Sequence, residues 1–205
     1  CFALPELIFS VLMQSVSLQK NPMSRTSALE LLDRHIQNPR MKAHCRASEV
    51  VMRALARHFG EDEELWGIAG LLHDIDVEIT NADAMTHGQV CVPMLREAGL
   101  AEEAIEAISL HNEMSAPKPR STRFHHALAA GETITGLITA TALVYPDKKI
   151  SSVKPKSVVK RMKEVHFAAS VKRENILECE EIGLPIDIFA TLALQAMSEI
   201  EAELL

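Results

Sequence analysis

The sequence predicts a single all-α domain. Its 205 residues are enough for one well-buried core, and apolar residues recur at helical spacing along almost the whole chain. Nine Pro, eight Gly, one Trp, one Tyr and six Phe are too few for the strands and turns of a β-sandwich. No segment alternates apolar and polar residues convincingly, and no apolar run is long enough to span a membrane.

Five helices are predicted in the first half of the chain, each with an end signal. Ser24 or Thr26 caps the first, which stops near Asn38 because the following proline disfavours helical backbone there. Gly60 ends the second helix and Gly99 ends the fourth. These helices cover about 24–38, 41–59, 62–73, 86–98 and 101–111, with a polar loop at 76–85.

The second half begins with one long predicted helix at 123–144. Residues 145–156 contain two prolines and are predicted to be a connection. Short helices follow near 155–164 and 172–182, and a long amphipathic helix covers 185–205. This last helix offers a surface through which two chains could pair into a homodimer.

The first 22 residues are predicted to lie outside this domain. Their short apolar stretch, 2–13, has no basic region before it and no small-residue cleavage site after it. A well-formed helix follows Met23, so we expect 1–22 to be an N-terminal extension and 23–205 to be the helical domain.

Cysteine usage predicts a cytoplasmic protein. The four cysteines form no CxxC pair and no dense framework, so we expect reduced thiols that pack in the core.

Charge is unevenly distributed over the chain. The formal net charge is −7, yet residues 118–173 contain 12 Lys or Arg and 3 Asp or Glu. An acidic chain with one basic segment does not favour a binder of nucleic acid polymers, and aromatic stacking residues are scarce. The segment fits either a local site for a small phosphorylated molecule or a solvated basic face.

Histidine placement is the strongest functional signal. A single histidine on an apolar helix face is usually a hydrogen-bonded core residue, but here several lie inward or at a helix end on separate helices. Neutral imidazoles and carboxylates are ligands of transition metals, and burying so many polar groups without a shared partner is costly. The set comprises His44, His73, Asp74, His87, His111 and Glu132.

The order of these residues resembles that of the HD-domain metal-dependent phosphohydrolases. The segment 70–76, Gly-Leu-Leu-His-Asp-Ile-Asp, resembles the HDIG form of the motif, with Asp76 in place of its glycine. The resemblance extends from about Thr26 to the C-terminus, and it is closest to the small stand-alone HD proteins. It implies an all-α HD-domain bundle.

The resemblance also implies roles for the histidines and carboxylates. His44, His73 and Asp74 match the family's invariant ligands, and Glu132 stands where the family has aspartate. His87 and His111 match the additional histidines of the two-metal members, in which the aspartate of the doublet bridges the ions. Asp74 and His73 are therefore the expected catalytic residues. One or two divalent ions are expected, of Fe, Mn, Co, Ni, Zn or Mg; in the one-metal alternative, His87 and His111 contact the phosphate.

Four further residues are candidate substrate contacts: His125, Lys148, Lys149 and Lys154. His125 lies seven residues before Glu132 on the same helix face, although a structural histidine at a helix start fits as well. The lysines follow the Glu132 helix and could fold back toward a phosphate, or they could be surface residues.

Roles are also expected for three residues that lie next to candidate ligands in the sequence. Asp76 either tethers a ligand histidine or caps a loop, and Asn112 and Glu113 are expected at the pocket mouth.

The expected function is metal-dependent hydrolysis of a soluble phosphoester, with a nucleotide as the favoured class. The alternative is a catalytically weak regulatory module that binds metal and nucleotide, with Glu132 marking weakened catalysis.

Overall fold

The computed structural model describes residues 22–205, and every regular element in that range is helical. The elements are α1 Arg25–His35, α2 Pro39–Phe59, α3 Glu63–Leu72, α4 Val92–Ala98, α5 Glu102–His111, α6 Arg123–Leu143, a 3₁₀ helix Ile150–Ser152, α7 Pro155–Met162, α8 Arg173–Glu181, α9 Ile186–Glu199 and α10 Glu201–Leu204. The predicted all-α bundle is confirmed.

End signals in the sequence set most of these boundaries. Ser24, rather than Thr26, caps α1, because its hydroxyl accepts the Ser27 N–H at 3.2 Å. Asn38 caps α2 and Asp62 caps α3 in the same way, and Gly60 closes α2 in the left-handed conformation. The amphipathic faces of these helices then bury one continuous apolar core.

Helix α2 is the central element, packed against α3, α6 and α9. Glycine permits two of these contacts. A Cβ at Gly70 would lie 2.6 Å from the Ser48 carbonyl oxygen on α2, and one at Gly131 would lie 2.8 Å from the Met52 sulfur. Close packing of α3 and α6 on α2 brings the histidines and carboxylates of these helices together.

The helix predicted at 86–98 begins only at Val92, and residues 84–91 form turns. The Asp76 carboxylate accepts the backbone N–H groups of Gly88 and Cys91, each at 3.0 Å, which would otherwise serve helical hydrogen bonds. Gly88 has φ +87°, a conformation that ends regular helix. His87 therefore lies in a turn and not at a helix start.

The long C-terminal helix is also interrupted, at Ile200. The apolar face of α9 packs on α2 and α7 within the chain. Pairing of two chains through this helix stays a prediction.

The expectations for the chain start and the cysteines have different outcomes. Residues 1–21 of the predicted extension lie outside the described residues, whereas Met23 is buried in the core. Cys45, Cys91 and Cys179 are buried and form no disulfide. Within 22–205, no helix has both the length and the apolar character needed to cross a bilayer.

Candidate metal centre

Six side chains from five parts of the fold meet at one cleft of about 260 Å³. Helix α2 supplies His44, the end of α3 supplies His73 and Asp74, and the turn before α4 supplies His87. His111 ends α5 and Glu132 lies in α6. All but His73, which is fully buried, line the cleft. The structure thus brings together every residue of the predicted ligand set.

Asp74 is the centre of the cluster. Its Oδ1 lies 2.9 Å from His87 Nε2 and 3.4 Å from the Nε2 atoms of His73 and His111. Its Oδ2 lies 3.4 Å from His44 Nε2. Two groups of potential ligand atoms therefore share Asp74, one with His44 and His73, the other with His87 and His111, and within each group the atoms are at most 4.8 Å apart.

Hydrogen bonds at the far side of each ring fix the tautomers of two histidines. His73 Nδ1 lies 2.8 Å from the Gly70 carbonyl oxygen, and His111 Nδ1 lies 2.6 Å from the Ile108 carbonyl oxygen. A carbonyl only accepts, so each Nδ1 carries the hydrogen. In the neutral rings, Nε2 then presents a lone pair to the cleft.

The other two imidazoles follow the same rule. His87 Nδ1 donates to Asp76 Oδ1 at 2.7 Å. His44 Nδ1 lies 3.0 Å from Thr135 Oγ1, whose hydroxyl donates to the Glu132 carbonyl oxygen at 2.6 Å, so the hydroxyl oxygen accepts from the ring. In both rings Nε2 again faces the cleft.

This arrangement fits divalent cations. Nε2 of His44 lies 3.1 Å from Nε2 of His73, and Nε2 of His87 lies 3.1 Å from Nε2 of His111. Two lone pairs directed at each other repel unless a cation or proton lies between them. Four imidazole nitrogens around a shared carboxylate are a donor set suited to Fe, Mn, Co, Ni or Zn.

The electrostatics of the protein agree with this donor set. Burial lowers the pKa values of His44 and His87, but nearby carboxylates outweigh this effect. The pKa of His44 is raised, mainly by Asp74, and the pKa of His87 is raised to about 10 by Asp74 and Asp76. Burial raises the pKa of Asp74, yet the surrounding imidazoles hold it well below its usual range. A field that retains protons at these nitrogens also attracts metal cations.

Glu132 lies beside the first group, at longer distances than Asp74. Its Oε2 is 3.8 Å from His44 Nε2 and 4.0 Å from His73 Nε2, and its other oxygen accepts from the Thr133 hydroxyl. The longer glutamate side chain therefore reaches the edge of the ligand cluster.

Asp76 has both of the roles that the sequence left open. One carboxylate oxygen binds the ring of His87, and the carboxylate also accepts the N–H groups of Gly88 and Cys91 that shape the turn. It therefore fixes the ring of a candidate ligand and the backbone that carries it.

Asp76→Asn is expected to weaken both the turn and the metal centre. The amide cannot accept from every donor around it, so the unfolding free energy of the metal-free protein should fall by about 2 kcal/mol. Metal affinity should fall roughly 10- to 100-fold, as for other partners that orient a ligand histidine. Urea unfolding and metal titration measure the two effects. Asp83→Asn is the control, because this exposed carboxylate in the same loop binds the Met85 N–H and should leave metal affinity unchanged.

The stability effect of Asp76 should depend on pH. Burial by itself raises the pKa of Asp76, but the contacts with His87 and with the amide groups of Gly88 and Cys91 outweigh burial, so the pKa of Asp76 is lowered. A carboxylate with a lowered pKa stabilises the fold above its unfolded pKa of about 4, and this contribution is lost as the pH falls through the folded value. The difference between wild type and Asp76→Asn should therefore narrow below about pH 4.

The predicted substrate contacts lie elsewhere. His125 is buried and caps α6: its Nδ1 accepts the backbone N–H of Ser121 at 3.2 Å and that of Thr122 at 3.3 Å. A capping box uses the ring and leaves it outside the cleft.

Lys148, Lys149 and Lys154 are exposed on the connection between α6 and α7, and none lines the cleft. Ile150 and Val153 of the same connection are buried in the core, which anchors this segment. Of the two alternatives for these lysines, the structure shows surface positions and not a fold-back toward the cleft.

Sequence reasoning missed the wall of the cleft formed by the loop between α7 and α8 and by the first turn of α8. Ser170, Val171, Lys172 and Asn175 line it together with the expected Asn112 and Glu113. The Arg173 guanidinium donates to the carbonyl oxygens of Ala168 at 2.8 Å and Val171 at 2.6 Å, and also to that of Phe167. These contacts join residues of an irregular loop, so no periodic pattern marks them.

Comparison with known proteins gives one match. A family model described as HD domain matches residues 41–142, a range that contains all six residues of the candidate metal centre. Searches of curated proteins and of solved structures returned no match.

Proposed function

The chain belongs to the HD-domain family, a superfamily of metal-dependent phosphohydrolases, and we propose that its cleft hydrolyses a soluble phosphoester. A nucleotide is the first class of substrate to test. The observation that carries the proposal is the pair of ligand groups that share Asp74, with four imidazole Nε2 atoms directed at that carboxylate.

The residues of the cleft would form two adjoining cation sites. His44, His73 and Glu132 would hold one cation, His87 and His111 a second, and Asp74 both. Bound divalent cations would supply an activated water at neutral pH and charge neutralisation of the phosphoryl oxygens.

Contacts at the far side of the rings keep the ligand nitrogens in place. Carbonyl oxygens hold His73 and His111, Asp76 holds His87, and Thr135 holds His44. Fixed ring orientations mean that little reorganisation is needed when substrate binds.

The test is hydrolysis by protein loaded separately with Mn, Fe, Co, Ni, Zn and Mg. Phosphomonoesters, phosphodiesters and nucleotides should be offered to wild type and to His73→Ala. We expect the wild type to release phosphate or nucleoside products from at least one class and the variant to lose this activity. Absence of hydrolysis of every class by fully loaded wild-type protein would overturn the proposal.

Glu132→Asp separates the enzyme from the regulatory module. Glu132 Oε2 is already 3.8–4.0 Å from the nearest ligand nitrogens, and the shorter side chain would withdraw the carboxylate by one methylene. We expect turnover and metal affinity to fall about tenfold. A large rise in turnover would instead indicate that Glu132 weakens catalysis and would favour the regulatory module.

A further inference from the structure

One ammonium group lines the cleft. Within residues 22–205, Lys172 is the only lysine or arginine among the lining side chains, the others being imidazoles, carboxylates and uncharged groups. Lys172 is the N-cap residue of α8, and no side chain caps the amide groups of that first turn. The positive end of the helix therefore adds to the charge of the ammonium.

The backbone under Lys172 is firmly held. Arg173 binds the carbonyl oxygens of Ala168 and Val171, and Val171 packs so closely on α6 that a Cβ at Gly136 would lie 3.2 Å from its Cγ2. The side chain of Lys172 is about half exposed, at 51%. A lysine is a point charge on a flexible stem, so a half-exposed lysine on a fixed backbone can follow a ligand.

Glu113 is the partner of this ammonium in the described structure. Its carboxylate forms an ion pair with Lys172 and accepts from Asn175 Nδ2 at 3.5 Å. Glu113 also lines the cleft, so the ion pair borders the same cleft as the candidate metal ligands. An ion pair at this exposure is weak, and an anion with more charge can replace one partner.

We propose that Lys172 binds the phosphate group of the substrate, or the phosphate product, and that Glu113 is the counter-ion which this phosphate displaces. The inference rests on the proposed function and adds the residue that recognises the phosphate opposite the metal ligands. A hydrogen-bonded ammonium–phosphate pair is charge-assisted and stronger than the exposed ion pair that it replaces.

Competition for Lys172 predicts effects of opposite sign. In protein loaded with manganese, Lys172→Gln should raise the Kd for inorganic phosphate about tenfold, measured by calorimetry, because a charge-assisted bond is lost. Glu113→Gln should lower that Kd about threefold, because the competing carboxylate is gone. The double variant should match Lys172→Gln. A purely structural ion pair predicts instead that the two single variants shift the Kd in the same direction.

Lys118→Gln is the matched control. Lys118 pairs with Glu106 at nearly the same side-chain exposure, 54% against 51% for Lys172, but does not line the cleft. It should leave the phosphate Kd unchanged. Metal content and thermal unfolding of every variant verify that the centre and the fold are intact.

Two results would overturn the inference: a phosphate Kd in Lys172→Gln equal to that of wild type, or a weakening in Glu113→Gln equal to that in Lys172→Gln. Failure of the proposed function is distinguishable, because phosphate binding is measured without turnover. Wild-type hydrolysis with an unchanged phosphate Kd in Lys172→Gln rejects the role of Lys172 alone. If the two variants shift the phosphate Kd in opposite directions but no ester is hydrolysed, the proposed function is rejected and phosphate binding by Lys172 is retained.

Discussion

Asp74→Asn is expected to lose metal from both ligand groups and to lower hydrolysis by about three orders of magnitude. The carboxylate is the one ligand that the two groups share, and it supplies the negative charge that faces four imidazoles. The amide keeps the shape but removes that charge and one of the two acceptor oxygens. Loss of cation activation of water and phosphate is worth several kcal/mol, which is a factor of about a thousand in rate.

Elemental analysis and phosphate-release assays on the same preparations measure this prediction. Asp187→Asn is the control, since Asp187 is an exposed carboxylate in the first turn of α9. Wild-type metal content and activity in Asp74→Asn, with an intact helical signal, would show that Asp74 does not join the two groups.

Glu49→Ala is expected to have the largest effect on stability. Glu49 is 1% exposed, and its carboxylate binds the guanidinium groups of Arg25, Arg46 and Arg53. These contacts join α1 to α2, and Arg46 and Arg53 extend them to Glu203 on α10 and Glu64 on α3. Removing the central anion leaves three cations close together, two of them mostly buried, so the unfolding free energy should fall by about 3 kcal/mol.

Urea unfolding of chelator-treated protein measures this loss without the contribution of bound metal. Glu30→Ala, at an exposed position of α1, should change stability by less than about 0.5 kcal/mol. Equal midpoints for Glu49→Ala and wild type would mean that the three arginines do not depend on Glu49.

The helices could be predicted from sequence because their determinants are local. Apolar periodicity and end signals such as Ser24 and Gly60 predicted boundaries of α1–α3 that are close to those observed. The helix predicted to begin at residue 86 begins only at Val92, and the reason is a tertiary contact. The Asp76 carboxylate accepts the backbone N–H groups of Gly88 and Cys91. Gly88 was the one local signal against a helix there.

The residues of the candidate site could be predicted from their order along the chain, but their geometry could not. The histidines and Asp74 were proposed together from their order along the chain and the resemblance that it supports, and the structure places them in one cleft. Their roles as metal ligands are our proposal. Asp76 could be suspected from its position beside the doublet, but its two roles depend on distances.

The phosphate-binding residues were not predictable in the same way. The basic segment contains twelve Lys and Arg, and the sequence offers no reason to prefer Lys172 over Lys148, Lys149 or Lys154. Lys172 lines the cleft from a loop whose carbonyl oxygens bind Arg173, and these contacts are tertiary features that no sequence pattern marks. For His125 the sequence left two alternatives, a substrate contact or a structural histidine at a helix start, and the structure shows the structural role at the start of α6.

The most direct test of the metal centre is elemental analysis of protein purified without chelator, beside His73→Ala. His73 is fully buried, and its Nε2 lies 3.1 Å from that of His44 and 3.4 Å from Asp74 Oδ1. We expect about two equivalents of Fe, Mn, Co, Ni or Zn per wild-type chain, as in other two-cation sites, and a clear loss in the variant. Wild-type protein that holds no metal, even after reconstitution with each of these ions, would contradict the account.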